Sequence, residues 1–182
     1  MGTASHSPPH LSESVIQAFL ARLGERYEKP ATLYLLGGSA LLLLGSPRPT
    51  IDIDYLGTDI PSQMEELQLT IRQVADEMQI DVEAIPFQDF IPLPQDAQQR
   101  HVSVGQFGKL TAYVFDPYSI ALSKIARGFE SDLEDVVFLI QRNLVTYERL
   151  EQMTRDMLVR AVDFGLDIQQ IRAHLEVLRQ IK

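Results

Sequence analysis

Between residues 32 and 56 the sequence changes its repeat twice, and that change limits the folds open to the chain. Thr32–Leu36 is a short apolar run, the pattern of a buried strand, and Gly37-Gly38 closes it. Ser39–Leu44 then reads as a short helix ended by Gly45 and Pro47. Thr50–Leu56 sets Ile51, Ile53 and Tyr55 against Thr50, Asp52 and Asp54, the two-residue period of a strand. Strand, helix and strand in so short a span call for a sheet with helices packed on it.

The flanking sequence extends this pattern. Leu11, Val15, Ile16, Phe19, Leu20 and Leu23 recur at helical spacing and predict a helix over 12–27, broken at Lys29-Pro30. Pro61 opens a long helix to about Gln79, and Ile80–Ile85 alternates as a further strand. Residues 86–99, with Pro86, Pro92 and Pro94, read as a loop; His101–Phe107 and Leu110–Phe115 flank Gly108-Lys109 as a hairpin. Helical signals follow. Asp116 and Pro117 open a helix that ends at Gly128, Ser131 with Glu134 forms a capping box, and Asp167 with Gln170 a similar signal. The expected fold is α/β (α+β), a small mixed sheet flanked by helices, with a helical C-terminal part. It divides into a tail at 1–10, an α/β core at 11–115 and a helical part at 116–182.

Composition removes several chemistries. With no cysteine, the chain cannot form disulfides, thiolate zinc sites, iron–sulfur clusters or a thiol nucleophile. Of the four histidines, His6 and His10 lie in the tail, and His101 and His174 are far from any other. A formal charge of −9 argues against broad, non-specific DNA coating but leaves room for a local basic rim, for which Arg48, Arg100 and Lys109 are candidates. The longest apolar stretch, at Leu41–Leu44, is too short to span a bilayer, and Met1–His10 lacks the order of a signal peptide. A soluble, cytoplasmic protein is expected.

The chemistry concentrates in Leu33–Ala40 and Thr50–Asp54. Two glycines before a helix let backbone N–H groups approach a phosphate, and the helix dipole favours the anion. Ser39 adds a hydroxyl donor. Asp52 and Asp54 lie on one strand face and repel each other unless a cation intervenes. Mg²⁺ takes one or two carboxylates together with substrate phosphate oxygens. Gly37, Gly38 and Ser39 are thus candidates for holding a nucleotide, and Asp52 and Asp54 for holding metal. Asp81 and Glu83 share a face of a later strand; Asp81 is the preferred third carboxylate and Glu83 its substitute.

Gly-Gly-Ser, a short spacer and Asp-x-Asp resemble the nucleotidyltransferase superfamily with its polymerase-beta-like fold. A second segment, Asp116–Val136, holds Lys124, Arg127, Asp132 and Asp135. It is similar to the Lys, Arg, Lys-Asp-x-x-Asp pattern of AbiEii-type and MenT-type toxin nucleotidyltransferases, with Ser131 in place of the second basic residue. The resemblance covers about residues 30–140. It implies a metal-dependent enzyme, using Mg²⁺ or Mn²⁺, that moves an NMP from an NTP to an acceptor. It implies RNA, such as a tRNA 3′ end, as that acceptor, and a toxin-like role with a cognate antitoxin. Asp52, Asp54, Asp81 and Lys124 would be catalytic. Lys124 and Arg127, three residues apart on one helix face, would reach triphosphate oxygens. Thr50, Asp132 and Asp135 would support them, one aspartate orienting Lys124 or Arg127. The alternatives are a catalytically silent nucleotide-binding or protein-interaction module on the same fold, and an enzyme that modifies a small molecule.

Overall fold

The computed structural model describes residues 10–58 and 61–181. The expected tail lies almost wholly outside the described residues. The chain divides into two compact units. One holds the chain up to Ala84 together with Val104–Ala112; the other holds Ile85–Ser103 and the chain from Tyr113 onward.

The first unit is built on α1 (Glu13–Arg26), β1 (Ala31–Leu35), α2 (Gly37–Leu43), β2 (Asp52–Thr58), α3 (Pro61–Met78) and β3 (Asp81–Ala84). With β4 (Val102–Phe107) and β5 (Leu110–Val114), the strands form one mixed sheet in the order β3-β2-β1-β5-β4. β1 and β2 are antiparallel, with Leu35 opposite Tyr55, and β2 and β3 are parallel. Ser12 caps α1 by accepting the Val15 N–H at 3.3 Å, so that helix starts one residue inside the expected span.

Period decides which face of the sheet is covered. Leu33 and Leu35 of β1 and Ile53 and Tyr55 of β2 are buried on one face. α3 packs on β2 and β3 and also against α1. Ile16, Phe19, Leu20 and Leu23 of α1 and Leu67, Ile71 and Val74 of α3 join that core. Each such side chain contributes about 1.5–3 kcal/mol by leaving water. Tyr34, Asp52, Asp54, Asp81 and Glu83 occupy the other face and are half-buried or exposed.

The second unit is helical: α4 (Pro117–Arg127), α5 (Glu130–Gln141), α6 (Tyr147–Leu158) and α7 (Ile168–Ile181). α4 touches all three of the others, so it is buried nearly all round. Asp116 caps it by accepting the N–H groups of Tyr118 and Ser119, and Gly128 ends it in the left-handed conformation, as the sequence predicts. Asp167 likewise caps α7 through the N–H groups of Gln169 and Gln170.

Three local expectations are corrected. α2 begins at Gly37, so the glycines form its first turn instead of preceding it. α5 begins at Glu130, and Ser131 is already helical. Its entry is held by Asp132, which accepts the Phe129 N–H at 3.3 Å, so no Ser131–Glu134 box forms. The expected loop at 86–99 contains two 3-10 turns, Phe87–Asp89 and the start of Ala97–Arg100.

Candidate functional site

Gly37 packs directly against the Asp-x-Asp strand, and Gly38 packs against Thr50 just before it. A Cβ on Gly37 would lie 1.8 Å from Asp54 Oδ2, and Gly37 has a left-handed φ of +56°. A Cβ on Gly38 would lie 2.6 Å from Thr50 Oγ1. Only a residue without a side chain allows the first turn of α2 to approach β2 this closely. The approach is also fixed by the backbone, because the Leu36 N–H donates to the Asp54 carbonyl at 2.9 Å.

Register then assembles the acids. Asp52 lies beside Asp81 and Asp54 beside Glu83 on neighbouring parallel strands. Directly paired residues point to the same sheet face and are separated by about 4.8 Å between strands. Four carboxylates therefore share one patch, and like charges placed side by side on a sheet oppose its formation. Thr50 steadies one of them: its hydroxyl donates to Asp52 Oδ1 at 3.1 Å. Asp81, the preferred third carboxylate, and Glu83, its substitute, both lie on the sheet face of Asp52 and Asp54.

Two side chains sit differently from expectation. Ser39 is fully buried, and its hydroxyl donates to the Leu36 carbonyl at 3.0 Å, the i−3 bond that a serine in a first helical turn can make. Its proton is thereby directed inward instead of toward a phosphate. Lys124, expected to reach triphosphate oxygens beside Arg127, is only 4% exposed, because α4 has helices on several sides.

Within the second unit Lys124 Nζ lies 2.7 Å from Asp135 Oδ2 and 3.3 Å from Asp132 Oδ1. Arg127 forks onto the same Asp132, with contacts of 2.7 and 2.6 Å, while its side chain stays 59% exposed. Burial alone would raise the Asp132 carboxyl. The hydrogen bond from Arg127 and the charges of Lys124 and Arg127 outweigh it and hold Asp132 below the ordinary carboxylate range. Asp132 thus pairs with both cations, and Asp135 with Lys124 alone. Arg100, a candidate for a basic rim, instead forks onto buried Asp116 at 2.8 and 2.7 Å.

Hard oxygen donors in pairs suit Mg²⁺, which needs one or two carboxylates when phosphate and water complete its shell. Among the described residues no group of three or more His, Asp or Glu side chains is gathered to hold a metal ion. The fit is thus to a cation shared with a phosphate-bearing ligand, not to a closed all-protein cage. Among the described residues, no helix is long and apolar enough to cross a membrane.

The sheet, its helices and the glycine turn against the acids define a nucleotidyltransferase-like α/β protein. The chain belongs to the family described as nucleotidyltransferase of unknown function (DUF6036), whose model matches residues 14–174. Among solved structures it is similar to an antigenic nucleotidyltransferase-like protein from Paracoccidioides brasiliensis, at 15% identity and a TM-score of 0.49, covering 91% of this chain and 95% of that one. No curated protein matches the sequence.

Proposed function

We propose that this protein is a Mg²⁺-dependent nucleotidyltransferase that moves the NMP of an NTP to an acceptor hydroxyl and releases pyrophosphate. The observation that carries the reading is the β2–β3 register, which sets Asp52 beside Asp81 and Asp54 beside Glu83. Such a patch is costly to keep unless a cation and a phosphate chain use it. Asp52 and Asp54 would hold the ion together with phosphate and water oxygens, with Asp81 or Glu83 as the further carboxylate beside them, and the ion's chemistry is to neutralise phosphate charge and activate the acceptor hydroxyl.

The chain's own groups do the remaining work. The N–H groups of Gly37, Gly38 and Ser39 precede the first intrahelical bond, from the Ala40 N–H to the Leu36 carbonyl. They are the donors for the triphosphate, in place of the Ser39 hydroxyl. Gly37 and Gly38 keep that turn close to the acids, so phosphate donors and carboxylates belong to one site. The resemblance supports a triphosphate role for Arg127, while Lys124 holds the α4–α5 turn through Asp132 and Asp135. It also supports RNA, such as a tRNA 3′ end, as acceptor, and a toxin role with an antitoxin partner.

A catalytically silent nucleotide-binding module is the second reading, favoured by the inward Ser39 hydroxyl and the ion-paired Lys124. Incubation with NTPs, total RNA and Mg²⁺ separates them. Pyrophosphate release that stops with EDTA supports transfer, whereas NTP binding without release selects the silent module.

A further inference from the structure

We infer that Thr50 is a positioning residue that presets the Asp52 carboxylate for the metal ion, an inference that rests on the nucleotidyltransferase reading. Thr50 is 8% exposed and is fixed on three sides. Its carbonyl accepts the Leu11 N–H at 2.8 Å. Gly38 lies against its side chain, so closely that a Cβ there would be 2.6 Å from Oγ1 and 2.9 Å from the threonine Cβ. Its hydroxyl has one proton, and it lies 3.1 Å from Asp52 Oδ1 and 3.4 Å from the Asp52 carbonyl.

The chemistry explains why a donor is useful here. Asp52 lies between Asp54 along its strand and Asp81 across it, and both repel its charge. A mobile carboxylate would turn away from them. A β-branched threonine is stiff about χ1, so a buried Thr50 offers its hydroxyl in a set direction and keeps one Asp52 oxygen toward it. The other oxygen is left to coordinate. Thr50 also abuts Gly38, so the same side chain ties the first turn of α2 to the carboxylate. Partners behind a metal ligand usually change metal affinity about 10- to 100-fold when removed.

The test uses the full chain with Mn²⁺ as the probe, read from the spin-resonance signal of the free ion. Thr50→Val keeps the shape and removes the donor; it should weaken Mn²⁺ binding about 10- to 100-fold. Thr50→Ser restores the hydroxyl and should return affinity to within about threefold of wild type, well inside that loss. Asp52→Asn sets the level of a lost ligand. If the valine variant fails to fold, Thr50→Ala is compared with Thr50→Ser in its place. Wild-type affinity in the hydroxyl-free variant, with Asp52→Asn defective, overturns the role of Thr50 and leaves the transferase reading standing. Equal Mn²⁺ binding by wild type and Asp52→Asn overturns both.

Discussion

Gly37 and Asp54 are in contact across the α2–β2 junction, with no space between them for a methyl group. Gly37→Ala must meet two costs. The left-handed backbone at +56° disfavours a Cβ by about 1–2 kcal/mol. Displacing the Asp54 carboxylate adds about 1–3 kcal/mol of overpacking. Gly165→Ala is the matched control, because Gly165 has a φ of +63° and nothing within 4 Å of an added Cβ. Denaturant unfolding should show a clearly larger loss for Gly37→Ala, which should also lose transfer activity. Equal losses at the two positions would show that the Asp54 contact adds nothing.

The acids of β3 should separate by neighbour. Asp81 adjoins Asp52, the carboxylate that Thr50 holds, whereas Glu83 adjoins Asp54. Asp81→Ala should therefore lower the rate of transfer more than tenfold, while Glu83→Ala stays within about threefold, a difference of at least about 0.7 kcal/mol in barrier. Rates measured on both variants at saturating Mg²⁺ decide it, and the reverse order would assign the third ligand to Glu83.

Lys124 is predicted to matter first for stability. Lys124→Met leaves Asp132 and Asp135 without the buried ammonium between them, and breaking a buried pair from one side costs about 3–5 kcal/mol. Arg127→Ala removes a guanidinium that stays largely in water and should cost about 1 kcal/mol or less. Chemical unfolding of the two variants measures the contrast. A Lys124→Met protein as stable as wild type would show that the buried network contributes nothing to the fold.

Acid should unfold the protein partly through Asp132. Its carboxyl is held below its unfolded value, so the native state binds fewer protons there than the unfolded chain does. The resulting stability is present above the unfolded value and is lost as pH falls through about 4 toward the folded value. Melting curves from pH 7 to pH 3 should fall less steeply for Asp132→Asn than for wild type. Parallel slopes would remove Asp132 from the acid response.

Much of this was legible wherever the signal is local. Asp116, Pro117 and Gly128 bound α4 through capping chemistry that involves neighbours in sequence. The two-residue period of Asp52–Asp54 placed both carboxylates on one face of β2. What the residues could not show depends on distant partners. The pairing of Asp52 with Asp81 is a long-range register, and no spacing encodes it. Ala121, Leu122, Ile125 and Ala126 recur at helical spacing and mark one apolar side of α4. Packing against three helices buries Lys124 as well. Gly-Gly announced a turn, but not that Gly37 faces Asp54 of the carboxylate strand and Gly38 faces Thr50 just before it. Ser131 and Glu134 fit a capping pattern that Asp132 pre-empts from inside the first turn.

The central claim is nucleotidyl transfer at Asp52 and Asp54, and the position of the label tests it most directly. Wild-type protein is incubated with each NTP, labelled at the α- or at the γ-phosphate, together with Mg²⁺ and total RNA. The account predicts α-label on RNA for at least one NTP, γ-label only in released pyrophosphate, and neither with Asp52→Asn or Asp54→Asn. γ-Label on the acceptor, or α-label transfer that persists in both aspartate variants, would contradict it.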